Sequence, residues 1–325
     1  MPRSSAAAMD TTGWLIAVAA ALALPAAAQD WPAKPIRVIV PYAPGGTDQQ
    51  IRAMAPTLQR ILGQPLIIEN KAGGGAAIGA AFVKDAAPDG YTVLYTGTGA
   101  LTVVTHVRRQ TYSLDDFMPV GNVTGTPFVV AARPDAPFKT IQEMVAYAKA
   151  NPDKATYGSA GQGTTTHMAG EALASAAGIK IVHVPYQGIG PAVTSLLGGN
   201  VDMVIGLPSA IMPQVAGGKL VALASTGPAR SDILKDMPTL RESGIDVVDV
   251  TKFGMLAPKG TPPAVVQKLT AALREASASP EFAELMRKTH NSIMFMEPAQ
   301  FRTTLDTEDR YFKTLIDRLG LREKG

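Results

Sequence analysis

The sequence predicts an α/β protein made of two similar lobes. Short runs rich in β-branched residues alternate with longer segments of helical periodicity, which is typical of parallel strands joined by helices. The alternation starts again near residue 140, and glycine-rich turns separate strand from helix in both halves. With 325 residues, 46% of them hydrophobic, the chain has enough apolar material for two cores.

In the first half, residues 36–40 form a β-branched run that Pro41 and two glycines interrupt. Apolar residues then recur at helical spacing from about residue 48 to residue 62, where Gly63 is suited to a helix C-cap. Strands are predicted at 66–69 and 91–96, on either side of a helix at 76–86. Such alternation implies parallel pairing with right-handed crossovers.

The second half repeats this pattern. Thr140 is expected to cap a helix over 140–150, and Gly178 to end a helix over 165–177. Further strands are predicted at 155–159, 181–184, 201–205 and 220–225, and further helices at 191–197, 263–276, 280–289 and 298–319.

Two strand-like connectors, residues 128–132 and 253–257, lie where the chain would cross between the lobes. The predicted first lobe comprises residues 29–130 plus 251–325, and the second comprises residues 131–250. A connection crossed twice is a natural hinge, because a few residues absorb the rotation of two rigid bodies.

The N-terminus has the pattern of an export signal. Its apolar run covers residues 14–24, which is shorter than the roughly 20 residues that span a bilayer. Three alanines at 26–28 follow Pro25 and provide a small-residue cleavage site. We therefore expect a signal peptide over residues 1–28 and a mature, periplasmic chain beginning at Gln29.

Charge and cysteine content exclude several classes of function. The net charge is +3, and no run of five or more Lys or Arg occurs, so the sequence pI near 9.0 gives little reason to expect a nucleic-acid partner. The chain contains no cysteine, which excludes disulfides, thiol nucleophiles and thiolate zinc sites.

Glycine-rich turns between strand and helix are the strongest local signal for a ligand site. They occur at 44–48, 159–166 and 186–190, and the second contains three consecutive threonines. The first amides of a helix have no intrahelical partner, and the helix dipole places positive potential at the same end. Turns of this kind in both lobes indicate an anion site, for which a carboxylate is suited.

Enzyme motifs are mostly absent. The sequence has no phosphate-binding P-loop motif and no G-x-S-x-G elbow, and its four histidines have no metal-binding spacing. His167 could border the ligand or could be held by local hydrogen bonds, whereas His183 is expected to be a core histidine. Asp48 could cap a helix or contact the ligand. No cofactor or metal is expected.

The motifs, in order along the mature chain, resemble the Bug family, the substrate-binding proteins of tripartite tricarboxylate transporters. The resemblance rests on segments 31–36, 40–46, 62–65, 69–71, 88–92, 116–117, 159–164, 183–188, 196–199 and 253–258. It implies a type II periplasmic-binding-protein fold that closes over a di-, tri- or aromatic carboxylate and delivers it to membrane permease subunits. It also implies a monomer without enzymatic activity.

The resemblance further implies which residues meet the ligand. In the first lobe these are Tyr42, Gly45, Gly46, Thr47, Asp48, Thr96, Gly97 and Thr98. In the second lobe they are Ser159, Thr164, Thr165, Thr166, His167, Tyr186 and Gly188.

The chain departs from the family pattern at three places. The loop between Gly46 and Arg52 is one residue shorter, the segment 205–209 lacks an Asp-Asn pair, and Lys252 replaces an aromatic residue. One alternative function is a sensory protein that presents the same solute to a membrane receptor. Another is a hydrolase or oxidoreductase that uses the cleft as an active site, which the missing motifs disfavour.

Overall fold

The computed structural model describes residues 31–230 and 234–323. The predicted signal peptide, residues 1–28, lies outside the described residues. Within the described part, no helix is both long enough and apolar enough to cross a membrane.

The first lobe is built on a six-stranded sheet with strand order β11-β4-β10-β3-β1-β2. The strand β1 is parallel to β2 and β3, whereas β10 is antiparallel to β3 and β4, and β11 is antiparallel to β4. These strands are β1 (Ile36–Val40), β2 (Leu66–Asn70), β3 (Thr92–Gly97), β4 (Phe117–Pro127), β10 (Val250–Pro258) and β11 (Ser292–Met296).

The second lobe has a five-stranded sheet with strand order β7-β6-β8-β5-β9. Here β6 is parallel to β7 and β8, and β5 is antiparallel to β8 and β9. The strands are β5 (Val129–Ala132), β6 (Thr156–Ser159), β7 (Val182–Pro185), β8 (Met203–Gly206) and β9 (Val221–Ser225).

The helices cover the faces of these sheets. In chain order they are α1 (Gly46–Leu62), α2 (Ala77–Lys84), α3 (Gly99–Thr102), α4 (Val104–Val107), α5 (Ile141–Ala150), α6 (Thr165–Ala177), α7 (Ile189–Leu197), α8 (Pro208–Ala216), α9 (Pro263–Ser277), α10 (Pro280–Lys288) and α11 (Pro298–Leu319).

The two-lobed α/β prediction is confirmed, and the predicted bounds of α6 and α11 match the structure. The predicted parallel pairing is confirmed for β1, β2 and β3 and for β6, β7 and β8, whereas the pairs formed by β5 and β10 are antiparallel. The strands β5 and β10 carry the chain directly from one lobe to the other, so no helix intervenes to turn them parallel to their neighbours.

Each lobe has apolar clusters on both faces of its sheet. In β1, Val38 and Val40 belong to one cluster, while Ile39 belongs to the cluster on the opposite face. Successive side chains of a strand point to opposite faces, so burial on both explains why this strand is apolar throughout.

The C-terminal helix α11 links the two lobes in addition to the two strand crossings. Near its start, Phe301 and Leu305 pack in a first-lobe cluster, whereas Phe312 and Ile316 pack in the largely second-lobe cluster. Thus the second half of α11, which belongs to the predicted first-lobe segment 251–325, packs in a largely second-lobe cluster. The predicted residue boundaries of the lobes stay a prediction.

Lys252 lies at the return crossing, in β10, and forms an ion pair with α11. Its Nζ is 2.5 Å from Glu308 Oε1, and both side chains are more than four-fifths buried. The residue that departs from the family pattern therefore joins the crossing strand to the helix that spans both lobes.

Candidate functional site

The glycine-rich turns lie at the carboxyl ends of parallel strands. The strand β1 leads into α1, and the neighbouring parallel strand β3 leads to Thr98 and α3. In the second lobe, the neighbouring parallel strands β6 and β7 lead into α6 and α7. Carboxyl ends of adjacent parallel strands form one edge, which is where ligands bind in open α/β sheets.

Two close contacts show that these edges of the two lobes meet. A β-carbon on Gly99 would lie 2.5 Å from Cγ2 of Thr165, so only a glycine fits here without a shift. Gly163 has φ +71° and lies against Val107, whose Cγ1 would be 2.9 Å from an added β-carbon. The residues after β3 therefore abut the second-lobe loop directly.

Tyr42 and Thr96 form part of the first-lobe wall. The hydroxyl of Tyr42 is 3.1 Å from Oγ1 of Thr96, and its backbone carbonyl accepts from Asn70 Nδ2 at 2.9 Å. Burial raises the pKa of the Tyr42 hydroxyl, which keeps it protonated. An added β-carbon at Gly97 would be 3.3 Å from this hydroxyl, so the small residue makes room for it.

The start of α1 leaves several donors unused. Gly45 is the N-cap and supplies no side-chain cap, and the amides of Gly46, Thr47 and Asp48 make no hydrogen bond with any described residue. These three amides lie at the positive end of a 17-residue helix dipole.

Asp48 is the third residue of α1, so the hypothesis that it caps this helix is wrong. The residue is 6% exposed, and its Oδ2 accepts from Nε of Arg52 at 2.8 Å. Its Oδ1 is buried without a partner among the described residues. Arg52 was missed by the sequence reasoning, although the i, i+4 spacing of Asp48 and Arg52 would have indicated it.

In contrast, the second-lobe loop is extensively hydrogen-bonded within itself. Thr164 caps α6, and its hydroxyl donates to the Gly161 carbonyl at 2.7 Å. Oγ1 of Thr166 accepts from the Ala160 amide at 3.0 Å, and Oγ of Ser159 accepts from the Gly161 amide at 3.1 Å. Two of the three threonine hydroxyls are thus engaged by the loop.

The second lobe also leaves three backbone donors unused. The amides of Gln162, Thr165 and Thr166 make no hydrogen bond with the described residues. The amide of Gly188 donates to the Ala160 carbonyl at 3.1 Å. The hydroxyl of Tyr186 is paired with Ser195 Oγ at 2.5 Å, so this tyrosine is also held within its own lobe.

A stacked pair of histidines lies behind this loop. The rings of His167 and His183 are 3.8 Å apart and inclined by 16°. Nδ1 of His167 accepts from the Gly163 amide at 3.2 Å, and Nε2 of His183 is 2.7 Å from Ser159 Oγ. His167 is therefore held by a local hydrogen bond, and His183 orients the serine that supports the loop.

Burial keeps both histidines neutral. Desolvation lowers the pKa of His167 to about 3, with a further contribution from His183, and it lowers the pKa of His183 to about 4. Burial also raises the pKa of Glu171, whose Oε1 accepts from the Tyr157 hydroxyl at 2.8 Å and lies 3.6 Å from Nε2 of His167. The i, i+4 spacing on α6 relates His167 to Glu171, but sequence periodicity could not relate them to Tyr157 and His183, which come from two other elements.

The Ser159–His183 pair has the spacing of a nucleophile and its base, but its surroundings do not suit catalysis. Ser159 is fully buried, and its hydroxyl also contacts the amide and carbonyl of Gly161. No described residue hydrogen-bonds the other ring nitrogen of His183 to orient it. Residues 31–230 and 234–323 contain no group of three or more His, Asp or Glu side chains that could hold a metal ion.

Residues 50–321 match the family described as the tripartite tricarboxylate transporter family receptor. The chain belongs to this family. It is similar to the periplasmic binding protein BugD, with 33% identity and a TM-score of 0.80, covering 90% of this chain and 100% of that one. The predicted Bug resemblance is confirmed.

Two further solved structures contain small carboxylates. A Rhodopseudomonas palustris protein with adipate is 27% identical, with a TM-score of 0.81, covering 90% of this chain and 99% of that one. MatC from the same organism, with bound malate, is 27% identical, with a TM-score of 0.78, covering 88% of this chain and 100% of that one.

These comparisons confirm the periplasmic-binding-protein fold. They also confirm the prediction that the chain is a solute-binding protein rather than an enzyme. The assignment of individual residues to the ligand stays a prediction.

Proposed function

We propose that this chain captures a small carboxylate in the periplasm and delivers it, as a monomer, to the membrane subunits of a tripartite tricarboxylate transporter. One observation carries the proposal: unbonded amides at the starts of α1 and α6 lie at the edges where the two lobes meet. A carboxylate that leaves water needs such donors on both sides.

The two lobes contribute differently to this site. The first lobe supplies three successive amides at one helix start, which suit one carboxylate group. The second lobe supplies the amides of Gln162, Thr165 and Thr166 for the other end of the solute. Adipate and malate, found in the two similar structures, are both dicarboxylates.

A thermal-shift screen of di-, tri- and aromatic carboxylates tests the capture step. A ligand that binds only the folded chain stabilises it by about 2.7 kcal/mol at one hundred times its Kd, so the cognate solute should raise the melting temperature clearly. Mass spectrometry of the molecule that co-purifies with the chain gives an independent identification. If no carboxylate in the panel shifts the transition, the proposal fails.

The delivery step needs a test in the host cell. Deleting the gene should abolish uptake of the carboxylate that stabilises the protein, and the wild-type chain should restore it. Uptake that survives the deletion while the purified protein still binds the solute would contradict delivery and would favour the sensory alternative.

A further inference from the structure

A separate cavity of about 610 Å³ lies beside the end of α4, where Val107 both lines the cavity and abuts Gly163 of the second-lobe loop. Its walls are the end of α4 with the loop that follows, one face of α11, and the C-terminal residues Arg322 and Glu323. None of the predicted carboxylate-binding residues lines it. Its volume falls in the range of small-molecule sites.

Five arginines and four acidic residues line this cavity, and each of the acids is already bonded to an arginine or a histidine on the walls. The pairs are Asp115 and Asp306 with Arg302, Asp309 with His106, and Glu323 with Arg108. The walls therefore offer no unpaired carboxylate to a cation.

Two of the arginines lack a carboxylate of their own. Arg109 and Arg310 form no ion pair with residues 31–230 or 234–323, and both are exposed. Arg310 lies on α11, and Arg109 lies in the loop that follows α4. The two guanidinium groups therefore come from different elements that line the same cavity. A guanidinium presents a planar fork of donors that matches a carboxylate or a phosphate.

We propose that this cavity is a second ligand site, which binds a small, multiply charged oxyanion between Arg109 and Arg310. The ligand chemistry is that of inorganic phosphate or a polycarboxylate, since both accept paired hydrogen bonds from arginine. The site is independent of the carboxylate cleft, and the proposal does not rest on the proposed function.

An occupant would add to polar links that already join these parts of the fold. His106, at the end of α4, is 2.7 Å from Asp309 on α11, and the Glu323 amide donates to the Val107 carbonyl at 2.7 Å. Val107 in turn abuts Gly163 of the second-lobe loop. The anion thus holds together the helix that borders that loop and the helix that spans both lobes.

Isothermal titration of the full-length mature protein at low ionic strength tests the site, with inorganic phosphate in one series and citrate in the other. The variant that removes the site is Arg109→Gln/Arg310→Gln, whose side chains are exposed and carry no ion pair. Arg287→Gln/Lys288→Gln, which removes two exposed positive charges of α10, is the matched charge control. Gly46→Val obstructs the cleft and leaves the second cavity untouched.

We expect at least one of the two anions to bind at a site that the wild type, Arg287→Gln/Lys288→Gln and Gly46→Val all retain with equal affinity. Arg109→Gln/Arg310→Gln should bind it about tenfold or more weakly, since the variant loses the charge-assisted hydrogen bonds of both guanidinium groups. Stronger binding of phosphate or of citrate then identifies which oxyanion the cavity prefers.

Three results would overturn the proposal: no saturable binding of either anion to the wild type, unchanged binding to the double arginine variant, or loss of binding in Gly46→Val alone. The last result would place the anion in the cleft. The stabilisation by a carboxylate that Gly46→Val fails to bind should be unchanged in the double arginine variant, so the two proposals fail separately.

Discussion

The two lobes prepare their anion-facing loops in different ways. In the first lobe, Gly46, Thr47 and Asp48 present three unbonded amides, and Asp48 Oδ1 is buried without a partner. In the second lobe, Ser159, Thr164, Thr166 and the histidine pair engage most of the loop in internal hydrogen bonds. The comparison teaches that hydrogen bonds of its own side chains support the second-lobe wall as a platform, whereas the start of α1 has no side-chain cap, and that each wall leaves three amides free for the solute.

Acidification should disrupt the second-lobe platform and has the largest expected effect. The pKa values of His167 and His183 in the folded chain, about 3 and about 4, lie below the unfolded value near 6.5. The unfolded chain therefore takes up more protons as the pH falls below 6.5. The free energy of unfolding should decrease by up to about 1.4 kcal/mol per pH unit for each histidine.

Urea unfolding between pH 4 and pH 7.5 measures this dependence. The double variant His167→Gln/His183→Gln should show a flatter profile than the wild type, while His290→Asn, which is remote from the loop, should retain the wild-type slope. Parallel profiles for the wild type and the double variant would mean that the buried pair does not set the acid sensitivity.

Removing a single threonine from the platform should have an intermediate effect. Thr164→Ala deletes the N-cap of α6, and Thr140→Ala deletes the N-cap of α5 elsewhere in the same lobe. Each should lower the free energy of unfolding by about 1 kcal/mol. Only Thr164→Ala should also weaken carboxylate binding, by about tenfold, because the loop loses its hydrogen bond to Gly161.

Calorimetric titration with the stabilising carboxylate distinguishes these two variants. Equal affinities for Thr164→Ala and Thr140→Ala would show that the platform contributes stability but does not position the ligand.

In the first lobe, Gly46→Val should weaken ligand binding but leave the stability of the fold almost unchanged. This is the smallest of the expected effects on stability. A β-carbon on Gly46 meets no atom within 4 Å, so Gly46→Val should change the free energy of unfolding by no more than about 1 kcal/mol. The side chain would nevertheless stand over the free amides and should weaken carboxylate binding by about tenfold or more.

Gln49→Val, at an exposed position of the same helical turn, is the control for placing valine in α1. If Gly46→Val binds the carboxylate as well as Gln49→Val does, the amides of α1 are not the anion site.

The sequence predicted much of the fold because hydrophobic periodicity is a local property. The run at 36–40, the spacing of apolar residues in α6 and α11, and the C-caps Gly63 and Gly178 were all readable before the structure was known. By comparison, β4 was missed, since its prolines, glycines and threonines resemble a turn segment, and β11 and α8 were missed as well.

The positions of the glycine-rich turns, and hence the class of site, were also determined by the sequence alone. Each such turn follows an apolar strand and starts a helix, and the chemistry of free amides follows from that arrangement. The tertiary structure decided which of these amides are already used, how His167 stacks on His183, and that α11 spans both lobes. These features join residues far apart in the chain, and such long-range contacts depend on packing and register that no local pattern encodes.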